Sequence, residues 1–180
     1  MSGSKTRASL AVELRLTEPI TVYLAGPISH LSYDEAMSRR AELIEPLRAA
    51  QVTYGIRFAI RSPMRGKMFL AHVRGPLKPG GYRQAMSTDS AIVGRDETDV
   101  RVCEVMIADF LGAPEKSIGT CVEFGLCLAW HKFVIMIIEE GKLNPHDHGF
   151  LRRIAHCIVR TREEAVKALL QYAGVEPDES

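Results

Sequence analysis

One short segment combines residue types that suit chemistry at a bound anion: S-I-G-T-C-V-E, residues 117 to 123. It follows an apolar run and opens a helical pattern. Gly119 has no Cβ and lets the backbone approach a ligand closely. Ser117 and Thr120 bring hydroxyls, and the first N–H groups of a helix have no partners within it, so the three residues together suit an anion. Glu123 falls about one turn into the helix among Val122, Leu126 and Ala129, which half-buries it while the helix N-terminus favours its ionised form. An ionised carboxylate beside a bound substrate suits a covalent nucleophile. The alternative is a Glu that caps the helix start or pairs on the surface.

A second acid comes from R-D-E-T-D-V-R-V-C-E-V-M-I-A-D, residues 95 to 109. Asp96 and Asp99 are spaced i,i+3 and share a helix face. With its pKa raised by burial or like charge, one of them becomes a general acid for Glu123; otherwise both belong to a solvated acidic face beside Arg95 and Arg101. Asp109 ends a strand, where it either orients a ligand hydroxyl or caps a turn. His146 and His148 are metal-type ligands without an evident third partner, so no metal is expected. V-Y-L-A-G-P-I, residues 22 to 28, is neither GxGxxG nor a P-loop, which argues against a dinucleotide or nucleoside triphosphate site. Trp130 reads as core.

The elements that must position these residues alternate between strand and helix. Residues 20–25 form an apolar, β-branched run that stops at Gly26-Pro27. Residues 34–50 are helical, with Ala36, Met37, Leu43, Ile44 and Leu47 on one broad face. Residues 52–60 read as a second strand, 90–103 as a helix, 104–110 as a buried strand, and 133–138 as the most apolar strand. Residues 139–150 read as a polar loop, 156–159 as a last short strand and 162–172 as a closing amphipathic helix. Alternation of this kind indicates an α/β domain on a mostly parallel sheet, with ligands at the carboxyl ends of the strands.

The 180 residues fit one domain at 19–176 after a flexible segment at 1–18. The net charge of +1 makes no case for nucleic acid or a membrane surface as partner. Local charge is another matter: between Arg57 and Thr88 there are seven Lys or Arg and no acid. Residues 61–88, broken by Pro and Gly, form either a solvated flexible insert or a basic lid over an anionic substrate. Cys103, Cys121, Cys127 and Cys157 form no CxxC and sit in apolar runs, as buried reduced thiols do. With no apolar signal segment at the N-terminus, a cytoplasmic location is expected.

Taken in order, VYLAGPI at 22–28, Asp96 eight residues before Glu104 in the C-E-V-M-I-A-D strand, and GTCVEFGLCLAWHKFVI at 119–135 resemble the nucleoside 2-deoxyribosyltransferase superfamily, over roughly residues 20–175. The resemblance implies a flavodoxin-like, Rossmann-like three-layer sandwich on about five strands. It implies N-glycoside chemistry on nucleosides or nucleotides with no metal or redox cofactor. It makes Glu123 the nucleophile that forms a glycosyl ester and Asp96 the acid near the departing base. Tyr23, Gly26, Pro27 and Ile28 line the pocket, with Asp109, Ser117, Gly119 and Thr120 as further substrate contacts. Base-exchanging members carry Asp six residues before the nucleophile, whereas monophosphate glycosidases carry Ser there, in contact with the 5′-phosphate. Ser117 at that position points to a nucleotide, with Ser62, Arg65 and Lys67 of the basic insert as further phosphate contacts.

In the family a neighbouring subunit completes the site from the loop after the 133–138 strand. His148 is the candidate here, with Asn144 and His146 behind it, and the homo-oligomer is then at least a dimer. Three functions follow: hydrolysis of 2′-deoxynucleoside 5′-monophosphates, base exchange between 2′-deoxynucleosides, or a non-catalytic nucleotide-binding module on the same fold. Cleavage of another N-glycoside, such as nicotinamide from NAD, is a further rival.

Overall fold

Five parallel strands form the single sheet of this computed structural model, which describes residues 18–78, 82, 84–141 and 143–177. They are β1 (Ile20–Ala25), β2 (Phe58–Arg61), β3 (Val105–Asp109), β4 (Phe133–Ile137) and β5 (Cys157–Val159). Their order is β2-β1-β3-β4-β5, with Val22 beside Val105 and Val105 beside Phe133. The period-2 alternation of each strand sorts its side chains between two cores. Ile20, Val22, Leu24, Ile107 and Ile135 pack under α1 (Tyr33–Tyr54) and α5 (Arg162–Tyr172). Tyr23, Ala25, Met106, Ala108 and Met136 face α2 (Asp89–Val102), α3 (Ile118–Ala129) and the short α4 (Gly149–Ile154). Every residue of β3 is buried, as a central strand covered on both faces must be. The result is the expected three-layer α/β sandwich with flavodoxin-like strand order. That order reverses between β1 and β3, and the crevice at their carboxyl ends is where such sheets bind ligands.

Two elements differ from the sequence reading. Residues 52–54 end α1 rather than begin a strand: the helix runs through Pro46 and stops at Gly55, whose φ of +65° is the left-handed cap that glycine accepts without strain. Only Phe58–Arg61 pairs with β1. The polar loop after β4 also leads into α4, capped by His148, whose Nδ1 accepts from the Phe150 N–H. The expected flexible segment at 1–18 lies outside the described residues, Glu18 apart.

The basic insert is packed, not loose, over its described residues. Met64, Leu70 and Leu77 form a small third core with Leu31 and Ala36 of the β1–α1 connection and helix. Backbone bonds join the two segments: His30 N–H donates to the Leu77 carbonyl, and Leu77 N–H to the Leu31 carbonyl at 2.7 Å. Arg61 and Arg65 both pair with Asp99, which is 1% exposed. Asp99 is therefore no solvated surface acid; it anchors the insert to α2.

Candidate active site

Glu123 stands on the second turn of α3, buried, at the wall of a cavity of about 480 Å³. The alternation of β1 aims Tyr23 at it from the sheet, and the Tyr23 hydroxyl donates to Glu123 Oε1 at 2.6 Å. A one-residue slip of β1 would carry Tyr23 to the opposite core. Burial pushes the Glu123 carboxyl up to about 7; the Tyr23 hydrogen bond opposes that rise, Asp96 adds to it and Arg40 opposes it. Burial and the Glu123 charge hold the Tyr23 phenol well above its ordinary value, so it remains a donor.

Asp96 of α2 lines the same cavity and is raised by its burial, against the pull of Arg95. Arg95 Nη2 lies 3.1 Å from Asp96 Oδ1 and donates to the Pro63 carbonyl at 2.7 Å, so one guanidinium ties the acid to the insert. Two carboxyls raised by burial line one cavity, an arrangement in which one can act as base or nucleophile and the other as acid.

Gly26, Pro27, Ile28, Ser117, Gly119, Thr120 and Lys67 also line the cavity. Ser117 caps α3: its Oγ accepts from the Thr120 N–H and lies 2.9 Å from Thr120 Oγ1. The N–H groups of Ile118 and Gly119 follow on the first turn, where helices leave donors open to an anion. Gly26 is needed for close approach. Its φ is +144°, and a Cβ there would stand 2.7 Å from the Asp109 carbonyl oxygen of the neighbouring strand.

Four expected contacts lie off the cavity wall. Tyr23 is fully buried behind Glu123 and does not line the cavity. Asp109 is outside the cavity: Arg162 Nε donates to its Oδ2 at 3.0 Å and Leu111 N–H to its Oδ1 at 3.0 Å, so it caps the turn after β3 and closes a buried ion pair. Ser62 and Arg65 face a separate groove against α1, because Ser62 accepts from the Met64 N–H and Arg65 is committed to Asp99. His148, expected to serve a neighbouring subunit's site rather than this one, is exposed and caps α4. Two lesser readings shift as well: Trp130 is half-buried under the Arg101 guanidinium, 5.1 Å away, and only Cys103 and Cys127 of the four free thiols are fully buried.

Two residues that shape the site were not anticipated in these roles. Arg40 is buried beneath it, donating to the carbonyls of Ala36 (2.9 Å) and Gly26 (3.2 Å), and burial pushes it down to about 10. Its signal was available: Ala36, Arg40, Leu43, Leu47 and Ala50 are the buried stripe of α1, and a charge in such a stripe has a task. His146 is fully buried and stacked on Phe110 at 4.0 Å, and its Nε2 accepts from the Ser117 N–H at 2.7 Å. Nδ1 faces the Asn144 Oδ1, which places the ring proton on Nδ1. Burial holds the ring neutral, down to about 4. It is a strut for the α3 N-terminus, not a metal ligand; among the described residues no group of three or more His, Cys, Asp or Glu is arranged around a metal position. No described helix is long and apolar enough to cross a membrane.

A parallel sheet with two raised carboxyls and an anion-ready helix terminus at its switch point defines a class of α/β enzymes that act on small anionic or sugar-bearing ligands. The sequence profile described as Nucleoside 2-deoxyribosyltransferase matches residues 22–154, and the chain belongs to that family. It is an enzyme that acts on nucleosides or nucleotides. The fold is similar to that of a 2-deoxyribosyltransferase from the psychrotolerant bacterium Bacillus psychrosaccharolyticus, with a TM-score of 0.59 and 12% identity over 88% of this chain and 98% of the other. A 2-desoxiribosyltransferase from Leishmania mexicana matches with a TM-score of 0.49 and 17% identity over 84% and 97% of the two chains. A CMP N-glycosidase from Clostridium botulinum matches with a TM-score of 0.46 and 19% identity over 84% and 98%. No curated protein matches the chain.

Proposed function

We propose that the protein cleaves the N-glycosidic bond of 2′-deoxynucleoside 5′-monophosphates through a covalent glycosyl ester on Glu123. The observation that carries this reading is a single cavity holding Glu123, Asp96 and the Ser117-capped start of α3. A neutral hydroxyl and open N–H groups there receive a 5′-phosphate, where a carboxylate would repel it. In the reactive state Asp96 is protonated and Glu123 ionised. The Glu123 carboxylate attacks C1′ as the C1′–N bond breaks through an oxocarbenium-like state. The bond's electron pair leaves with the base, which takes the Asp96 proton. Water then adds to C1′, its proton returns to Asp96, and Glu123 departs as carboxylate with release of deoxyribose 5-phosphate. Tyr23 positions Glu123, Arg95 positions Asp96, and His146 positions Ser117.

A base in place of water would return a nucleotide or nucleoside, so the same ester serves exchange. We retain the homo-oligomer as part of the proposal: His148 is exposed beside Phe150, itself 77% exposed, on a surface a second copy would cover. The test is product analysis with 2′-deoxynucleosides and their 5′-monophosphates, each with and without an acceptor base. Free base and deoxyribose 5-phosphate from monophosphates alone support the proposal. New nucleosides formed only with an acceptor make it a transferase and remove Ser117 from phosphate binding. Tight binding without turnover, unaffected by Glu123→Ala, makes it a binding module.

A further inference from the structure

Both contacts from Arg95 to Asp96 fall on Oδ1, from Nη2 at 3.1 Å and from Nε at 3.4 Å. The same guanidinium donates to two carbonyls of the basic insert, Pro63 at 2.7 Å and Arg65 at 3.3 Å. Those carbonyls belong to a closed turn. The Arg65 N–H donates to the Ser62 carbonyl at 3.0 Å and the Lys67 N–H to the Met64 carbonyl at 3.2 Å. Gly66 takes the φ of +72° that the turn requires. Met64, in the third core, fastens the turn on the α1 side. The Arg65 side chain fastens it on the α2 side: Nη2 lies 3.0 Å from Asp99 Oδ1 and 2.8 Å from Oδ2. Charge-assisted bonds of this kind are roughly twice as strong as neutral ones. Arg61 reaches the same Asp99 at 2.9 Å, but from β2 and outside the turn. Asp96 and Asp99 stand one turn apart on α2, so the contacts close a ring: Asp96, Arg95, the insert turn, Arg65, Asp99 and back along the helix.

We infer that Arg65 and Asp99 are positioning residues for the acid: their ion pair sets the turn whose carbonyls aim Arg95 at Oδ1 of Asp96, leaving Oδ2 to carry the proton that the base takes. The inference rests on the N-glycosidase reading and goes beyond it in giving the basic insert a task in proton transfer. Neither residue touches the substrate. Proton transfer needs the acid within hydrogen-bond reach of the base, so a turn that drifts carries Arg95 and the acid out of range. Arg61 is the built-in control, since it pairs with the same Asp99 without belonging to the turn.

The test compares wild type, Arg65→Met, Arg61→Met and Asp96→Asn on 2′-deoxyguanosine 5′-monophosphate and its 7-methyl derivative. The methylated base already carries a positive charge, which the electron pair of the broken C1′–N bond neutralises, so it departs without a proton. Asp96→Asn should lose the first substrate and keep the second, which checks the acid by itself. Arg65→Met should lower kcat on the first by about 100-fold, the scale of a misplacement of about 1 Å, with KM nearly constant. It should change the methylated substrate little, and Arg61→Met should change both little. Arg65→Lys, which keeps the charge, should fall between wild type and Arg65→Met. Equal losses by Arg65→Met on the two substrates, equal losses by Arg65→Met and Arg61→Met, or a melting temperature lowered enough to explain the loss would overturn the inference. If wild type turns over neither substrate, or Asp96→Asn spares both, the acid reading fails and a carbon NMR titration of the aspartate carboxyls decides for Arg65. Burial raises the Asp96 carboxyl, Arg95 and Lys67 pull it down, Asp99 pushes it up, and Glu123 and Tyr23 also act with it. An Arg95 no longer aimed at Oδ1 pulls less, so Asp96 should titrate higher. Both arginine variants remove one positive charge beside Asp99, so the difference between them reports the turn. A larger rise in Arg65→Met than in Arg61→Met upholds the positioning; equal rises end it.

Discussion

The 2.6 Å bond from the Tyr23 hydroxyl to Glu123 is the interaction that most directly opposes the effect of burial on that carboxyl. Tyr23→Phe removes that donor and little else, because the ring keeps its place in the core beneath α3. A hydrogen bond to a charged group is worth about 1.5–3 kcal/mol, and about 1.4 kcal/mol corresponds to one pKa unit, so the carboxyl should rise by roughly 1–2 units. From about 7 it then moves to the neighbourhood of 8 or 9. At pH 7 the ionised fraction falls from about half to between roughly a tenth and a hundredth, and kcat/KM should fall about 5- to 50-fold. On the basic side both proteins should fall alike, because the acid assigned to Asp96 must keep its proton.

The assay is kcat/KM against pH from 5 to 10 for both proteins on one substrate, since that ratio reports the free enzyme whose geometry is described above. The acidic limb should move upward in Tyr23→Phe while the basic limb stays in place. An unmoved limb would show that Glu123 does not set it. A loss of equal size at every pH would mean that Tyr23 acts by touching substrate, and the positioning argument would be wrong.

Asp109→Ala should cost about 3–5 kcal/mol of stability, the penalty for leaving a buried partner charge unpaired, because Arg162 and Arg39 both face that carboxylate. KM should be unchanged in the folded variant; a raised KM at unchanged melting temperature would restore Asp109 as a ligand contact. Glu123→Gln should stabilise the fold while abolishing turnover. A carboxyl raised from 4.5 to about 7 binds its proton more tightly folded than unfolded, so the native state loses stability as pH rises through that window, by about 3 kcal/mol in full. The variant should therefore gain about 3 kcal/mol at pH 8 and nothing at pH 4, read as a difference in denaturation midpoint; an equal gain at both values would refute the assignment.

The strands were legible wherever apolar runs are continuous, and β1, β3 and β4 fall within a residue or so of their expected places. Parallel strands buried on both faces must read that way. The pairing of Glu123 with Asp96 was legible too, from order and spacing along the chain. What stayed hidden depends on partners remote in sequence. Tyr23 meets Glu123 across 100 positions and Asp109 meets Arg162 across 53, and no local pattern encodes either contact. Asp99 looks like Asp96 in sequence, yet only the fold turns it toward Arg61 and Arg65. The end of α1 was misplaced for a different reason. Val52, Thr53 and Tyr54 have β-type side chains, and the helix cap at Gly55 outweighs that weak preference.

The buried ionisable groups around α3 have opposite effects on stability across the same acid range. His146 is held down to about 4, so its neutral form supports the fold fully above its ordinary value of 6.5, and that support is lost as pH falls toward 4. Glu123 does the reverse, weakening the fold as pH rises from 4.5 to about 7. The two shifts are similar in size, so they largely cancel in the wild-type profile. The contributions of these two groups to stability thus largely offset each other across the acid range. His146 and Glu123 also sit at opposite ends of one short lever: His146 fixes the Ser117 N–H, Ser117 caps the helix, and Glu123 rides its second turn. A displacement at the His146 end would reach the Glu123 carboxyl within two turns of helix, with no other element needed to carry it.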